Sequence, residues 1–204
     1  MCPTISKIFE NCLLHCSLSS VKTSDRQFGF KKGVGCANSI HTVRKVIDFF
    51  NLGNSTVNVG VIDLKKAFSK VNVFGLLKLL QEKNIDFRII KVLENWFSKC
   101  YSSTRWGGSR SEYCKLFSGV REGGILSPLL FCLFVDVLLS KLERSGLGCF
   151  VNFTCYNSFL YADDIILLSI SINQSINEFS TVSLPEGCVS DVPGPNQPQP
   201  TPPT

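Results

Sequence analysis

A chain of 204 residues, 44% apolar and 18% charged, has enough hydrophobic mass for one sizeable core and is not a disordered polymer. Its net charge of +5 is unevenly placed: residues 1–170 hold 21 Lys and Arg against 13 Asp and Glu, while 171–204 hold three acids and no base. A basic body of net +8 suits a polyanionic partner such as nucleic acid.

In chain order, the first ~25 residues read as irregular. Gln27-Phe28-Gly29-Phe30-Lys31-Lys32-Gly33 is a loop bearing glycine and lysine. From Ala37 to Phe50 apolar residues recur at helical spacing, and 51–55 is a turn cluster. Val57 to Leu64 predicts a strand ending in Asp63. Asn72 precedes an apolar helix to about Lys83, and Asp86 is placed to cap a second carrying Phe87, Ile90, Leu93, Trp96 and Phe97. Tyr101 to Phe117 has the mix of a β-hairpin. Gly119 to Pro128 is a glycine-rich loop, and Ser127-Pro128 supplies a cap and first residue for a helix over 129–144. Two apolar strands, 159–162 and 165–168, flank Asp163-Asp164, which predicts a tight hairpin with both carboxylates at its turn. Seven of the nine prolines lie between Pro185 and Pro203, so 171–204 reads as a disordered, polyproline-prone tail.

Ten cysteines would suit a disulfide framework, yet Cys100, Cys114, Cys132, Cys149 and Cys155 sit in apolar or strand-like runs, where a reduced thiol acts as a small hydrophobe. No Cys-x-x-Cys pair occurs, and Cys12, His15 and Cys16 lack the second half of a zinc site, so no metal is expected there. The N-terminus lacks the pattern of a secretory leader. The longest apolar stretch, Ile125 to Leu139, is interrupted by Ser127, Pro128 and Asp136 and is too short to span a bilayer. The expectation is an intracellular, reduced protein without a membrane partner.

The acids carry the chemistry. Asp63 ends one apolar strand, and Asp163 and Asp164 sit at the tip of another pair. Carboxylates among Val, Ile and Leu are costly unless paired or bound to metal. Three brought together call for a divalent cation, and hard oxygen donors favour magnesium.

The motifs then resemble those of reverse transcriptases. Tyr161-Ala162-Asp163-Asp164 is the signature turn of that family, Asp63-Leu64-Lys65-Lys66-Ala67-Phe68 looks like its first palm motif, and Gly119 to Phe131 looks like its middle motif. All three occur in family order. Gln27-Phe28-Gly29-Phe30 also matches a stretch upstream of the palm in the non-LTR (LINE-type) group, so the resemblance covers about Arg26 to Ser169. It implies an α/β palm in which an antiparallel sheet bears the three Asp, backed by helices near 73–83, 87–99 and 128–144. It divides the chain into a partial fingers segment (1–55), the palm (56–170) and the tail (171–204).

Carried over residue by residue, the resemblance makes Asp63, Asp163 and Asp164 the catalytic, metal-binding carboxylates, holding two magnesium ions, with manganese as an alternative. Phe68 becomes the gate that excludes a ribonucleotide 2′-hydroxyl. Gly123 and Gly124 let the backbone approach the nascent base pair, and Arg121 contacts nucleotide or template phosphate. Lys31, Lys32, Arg44 and Lys45 lie where fingers meet template or triphosphate. The implied partners are an RNA template, a DNA primer and a dNTP, and the implied setting is cytoplasm and nucleus. Two positions depart from the family pattern: Ser69 stands where Asp is usual, and Glu122 where Gln is usual. The chain is expected to stop before the family's helical thumb. The alternative reading is an inactive retroelement remnant that at most binds nucleic acid.

Overall fold

The computed structural model describes residues 4–19 and 21–171, together with 173, 176 and 177, so the prolines of the expected tail lie outside the described residues. The centre is a three-stranded antiparallel sheet of β1 (Asn58–Asp63), β9 (Asp164–Ser169) and β8 (Ser158–Tyr161), in the order β1-β9-β8. The register sets Asp63 opposite Asp164, Ile62 opposite Ile165 and Val61 opposite Ile166. β8 and β9 are nearly continuous apolar runs because both of their faces are covered.

One face carries Leu160, Ile165 and Leu167 into the main core. There they meet α5 (Ser127–Arg144), behind which pack α3 (Val73–Glu82) and α4 (Phe87–Ser98). The other face carries Phe159, Ile166 and Leu168 against Val43, Val46 and Phe50 of α2 (Cys36–Leu52). The sheet is thus backed on both sides, where the sequence predicted helices from 73–144 alone. α2 covers only the far end of its face: Val59 and Val61 of β1 stay 48% and 67% exposed, as does the end bearing Asp63 and Asp164.

Local chemistry fixes the helix starts. Asn72 accepts the Gly75 N–H at 3.1 Å and Asp86 the Arg88 N–H at 2.8 Å, satisfying donors that a helix N-terminus leaves unpaired. The last helix begins at Ser127, with Leu126 at the cap and Pro128 one residue further inside than predicted. The N-terminal segment, expected to be irregular, is α1 (Thr4–Leu13) continued by a π-helical turn over Leu14–Leu18. Leu13 and Leu18 enter the main core. The predicted hairpin over 101–117 forms as two short ladders, β2 (Tyr101–Ser102) with β5 (Cys114–Lys115) and β3 (Arg105–Trp106) with β4 (Ser109–Arg110). A further hairpin, β6 (Cys149–Val151) with β7 (Thr154–Tyr156), follows α5.

Candidate active site at the end of the central sheet

The turn between β8 and β9 consists of Ala162 and Asp163, and Asp164 is the first residue of β9 rather than part of the turn. Asp164 faces Asp63 across the ladder, so their side chains leave the same face about 5 Å apart at the Cα atoms. The Leu64 N–H donates to the Asp163 carbonyl at 3.3 Å, which draws the turn onto the end of β1. Register alone therefore assembles the three acids at one sheet end. Among the described residues, none of the three carboxylates accepts a hydrogen bond or forms an ion pair.

As they stand, no three Asp, Glu, His or Cys side chains among the described residues converge enough to hold a metal ion. Like-charged carboxylates splay when no cation lies between them. The donor set still fits magnesium: hard oxygens, exposed at Asp63 and Asp164 and partly so at Asp163, on a fixed backbone and not used by the protein.

Ala162 has φ of +58°, a left-handed conformation that costs a non-glycine residue on the order of 1 kcal/mol. Its brace is Gln27, which is fully buried. The Gln27 side-chain oxygen accepts the N–H groups of Gly29 at 2.9 Å and Ala162 at 3.2 Å. Backbone bonds lock the same segment to β8: Phe28 N–H to the Leu160 carbonyl at 2.8 Å, and Leu160 N–H to the Arg26 carbonyl at 2.9 Å. A Cβ at Gly29 would overlap the Ala162 nitrogen, so only glycine lets the two strands lie this close. Sequence reasoning picked out this stretch and gave Gln27 no task; its signal was an amide between Arg26 and Phe28 at the head of a loop bearing two lysines.

Phe68 is half-buried. Its ring stacks on Phe131 at 4.7 Å and meets the edge of Phe30 at 5.9 Å, so the ring is held in place five residues after Asp63. Beside Phe30 a cleft of about 300 Å³ opens between residues 21–31 and α5. Lys31, at its edge, donates to the carbonyls of Thr23 and Ser24. Gly123 has φ of +79° with open space where a Cβ would stand. Gly124 is closed in: a Cβ there would come within 2.7 Å of Ser127 Oγ and 2.8 Å of Glu10 Oε2.

Glu10 is a second residue that the sequence did not reveal. It is 2% exposed, and its Oε2 accepts the N–H groups of Ile125 at 2.6 Å and Leu126 at 3.2 Å. It thereby supplies the anion at the start of α5 that Leu126 cannot. Arg121, expected on phosphate, lies instead with its guanidinium 4.9 Å from the Trp96 ring and hydrogen-bonded to Ser6 Oγ and Cys100 Sγ. Trp96 also packs on Phe9 at 4.7 Å. The aromatic face explains the placement, because a guanidinium stacks on indole at little desolvation cost. The two departures from the family pattern stand together: the Ser69 hydroxyl donates to Glu122 at 3.5 Å.

Comparison with known proteins decides the family. Residues 1–184 match the family model described as reverse transcriptase (RNA-dependent DNA polymerase). The chain belongs to the reverse transcriptase family. Its relatives include a Retrovirus-related Pol polyprotein from type-1 retrotransposable element R2 of Popillia japonica, 27% identical over 66% of this chain. Another is that from type-2 retrotransposable element R2DM of Drosophila melanogaster, 27% identical over 81% of this chain. The matches span 22% and 16% of those two proteins. Among solved structures, telomerase from Candida albicans in complex with the TWJ fragment of telomeric RNA superposes with a TM-score of 0.58. That match has 11% identity and covers 87% of this chain and 30% of the telomerase, a likeness of fold. The fold expected from the sequence, an α/β reverse transcriptase palm, is therefore the one observed, as is kinship with non-LTR elements.

Proposed function

We propose that this chain carries the nucleotidyl-transfer centre of an RNA-directed DNA polymerase, which adds deoxynucleotides to the 3′-hydroxyl of a DNA primer on an RNA template. One observation carries the reading: Asp63, Asp163 and Asp164 share one sheet end, Asp63 and Asp164 exposed and Asp163 partly so, and their carboxylates have no partner among the described residues. Magnesium bound there would activate the primer hydroxyl and neutralise the triphosphate.

The chain's own residues supply the rest. Asp63 and Asp164 would hold from one face of the ladder, and Asp163 from the turn. The braced turn keeps these donors at fixed positions, so little reorganisation accompanies reaction. Phe68 is the gate: a ring immobilised between Phe30 and Phe131 cannot swing aside for a 2′-hydroxyl. Gly123 leaves room for the nascent base pair.

The test is deoxynucleotide incorporation on a short RNA template with an annealed DNA primer and magnesium. The expected result is extension that chelation abolishes and that Asp163→Asn lowers at least about 100-fold, the scale of a removed metal or oxyanion ligand. A folded protein that extends no primer, or whose Asp163→Asn variant extends as well as the parent, would sink the assignment.

A further inference from the structure

The segment between α4 and Gly119 forms an arm that the reading above leaves without a task. β3 and β4 close through Gly107-Gly108, both at positive φ (53° and 86°), the two-residue turn that suits a twisted hairpin. From 101 to 117 every residue except Ser103 is exposed. Four of them are aromatic: Tyr101 at 56%, Trp106 at 86%, Tyr113 at 63% and Phe117 at 84% exposure. A patch of this kind on so short an arm marks a binding surface.

Its charge says for what. Lys99, Arg105, Arg110 and Lys115 stand against a single acid, Glu112. Among the described residues none of the four forms an ion pair. The cations and rings are interleaved: the Arg110 guanidinium lies 5.8 Å from the Tyr113 ring centre and donates to its hydroxyl at 2.6 Å, and Lys115 Nζ lies 5.5 Å from the Phe117 ring. Protein interfaces are depleted in lysine at their cores. Cations without a carboxylate partner beside exposed rings match a strand whose phosphates and base faces are both accessible.

The arm's position ties it to the acids. Its root closes with the Leu116 N–H donating to the Cys100 carbonyl at 2.9 Å. The chain then pairs with the segment after Asp63, Gly119 N–H to the Val71 carbonyl and Val120 N–H to the Phe68 carbonyl, each at 2.8 Å.

We propose that residues 99–117 form a stacking platform for an unpaired RNA strand, the template on its way to the acids. The identity of that strand as template rests on the function proposed above; the platform itself rests on the arm. Rings take base faces without regard to sequence, and the four cations take phosphates.

The experiment is equilibrium binding of a labelled oligouridylate to the full chain without magnesium, between about 50 and 200 mM salt. Single-stranded DNA and duplex RNA of equal length are the comparison probes. Trp106→Ala with Phe117→Ala is expected to weaken single-stranded RNA binding about tenfold or more, since two stacking faces are lost. Arg105→Gln with Arg110→Gln is expected to reduce the salt slope by about 1.4, or ~0.7 per lost phosphate contact. Trp106 emission should be quenched on binding. Folded variants that keep the parent's affinity and slope would overturn the proposal. So would equal losses on duplex, losses confined to DNA, or a changed oligomeric state at unchanged RNA affinity. Binding is read without magnesium or dNTP and extension in a separate assay, so a failure of extension and a failure of the platform are read separately.

Discussion

The Asp163 turn is held by an uncharged side chain. Gln27 takes the Ala162 N–H, and the other contact that segment 26–30 makes with that strained residue is the close approach of Gly29. Gln27→Ala leaves two buried N–H groups unpaired and opens a cavity, a loss of about 2 kcal/mol or more. The turn then relaxes and carries Asp163 with it. We expect kcat for primer extension to fall about tenfold or more while KM for the dNTP moves little, because Gln27 holds the turn and not the nucleotide. Gln27→Glu keeps the acceptor and should recover part of kcat, which a packing defect alone would not allow. Steady-state extension beside a denaturant melt checks both. The Ser69–Glu122 contact belongs to the same scale. The family pattern has an acid and an amide at these positions; here a hydroxyl and an acid meet, so one carboxylate is kept and two facing acids are avoided.

At the scale of elements, α1 shows what a sequence window hides. It buries Ser6, Glu10 and Leu13 and leaves Ile5 and Ile8 81% and 60% exposed, the reverse of an amphipathic expectation. What orders it is Glu10 on the start of α5, 115 positions away, together with Arg121 and Phe9 on Trp96. Glu10→Ala strips two N–H groups of a buried, charged acceptor, which costs about 2–3 kcal/mol and lowers Tm by about 5–10 °C in a chain of this size. Calorimetry or a thermal melt reads it; a variant melting with the parent would show that the bond contributes nothing. Where partners are local, the sequence was legible: Asn72 and Asp86 cap their own helices, and alternation and turn chemistry placed β1, β8 and β9. The three acids could be named because Asp63 ends a strand, Asp164 begins one and Asp163 sits in the turn beside it. The brace, the clamp and the turning of Arg121 onto Trp96 could not, because each joins residues that only the folded chain brings together.

Across the whole molecule, α5 is the helix on which the main core depends, with eleven buried residues, and one of them is charged. Asp136 is 8% exposed; one oxygen accepts the Ser24 N–H at 2.7 Å and the other has no partner among the described residues. Burial pushes its carboxyl up to about 6 from the ordinary 3.8; the Ser24 N–H, Lys83 and Lys31 oppose this and Glu143 adds to it. The sign follows from proton counting. Between pH ~4 and ~6 the folded chain holds a proton here that the unfolded chain has released, so stability from this group is complete below the unfolded value and falls as pH rises through the folded one. The loss totals about 2–3 kcal/mol once both states are ionised. Asp136→Asn keeps an oxygen for Ser24 and has no charge to bury. Groups that do not face Asp136 are common to parent and variant, so their difference in unfolding free energy reports on Asp136 and the charges it faces. We expect the variant to gain on the parent by on the order of 2 kcal/mol from pH 4.5 to pH 7.5 in denaturant melts at constant salt. Parallel stability curves would mean that Asp136 is solvated well enough to ionise freely, and that the seam between α5 and the Ser24 loop admits water.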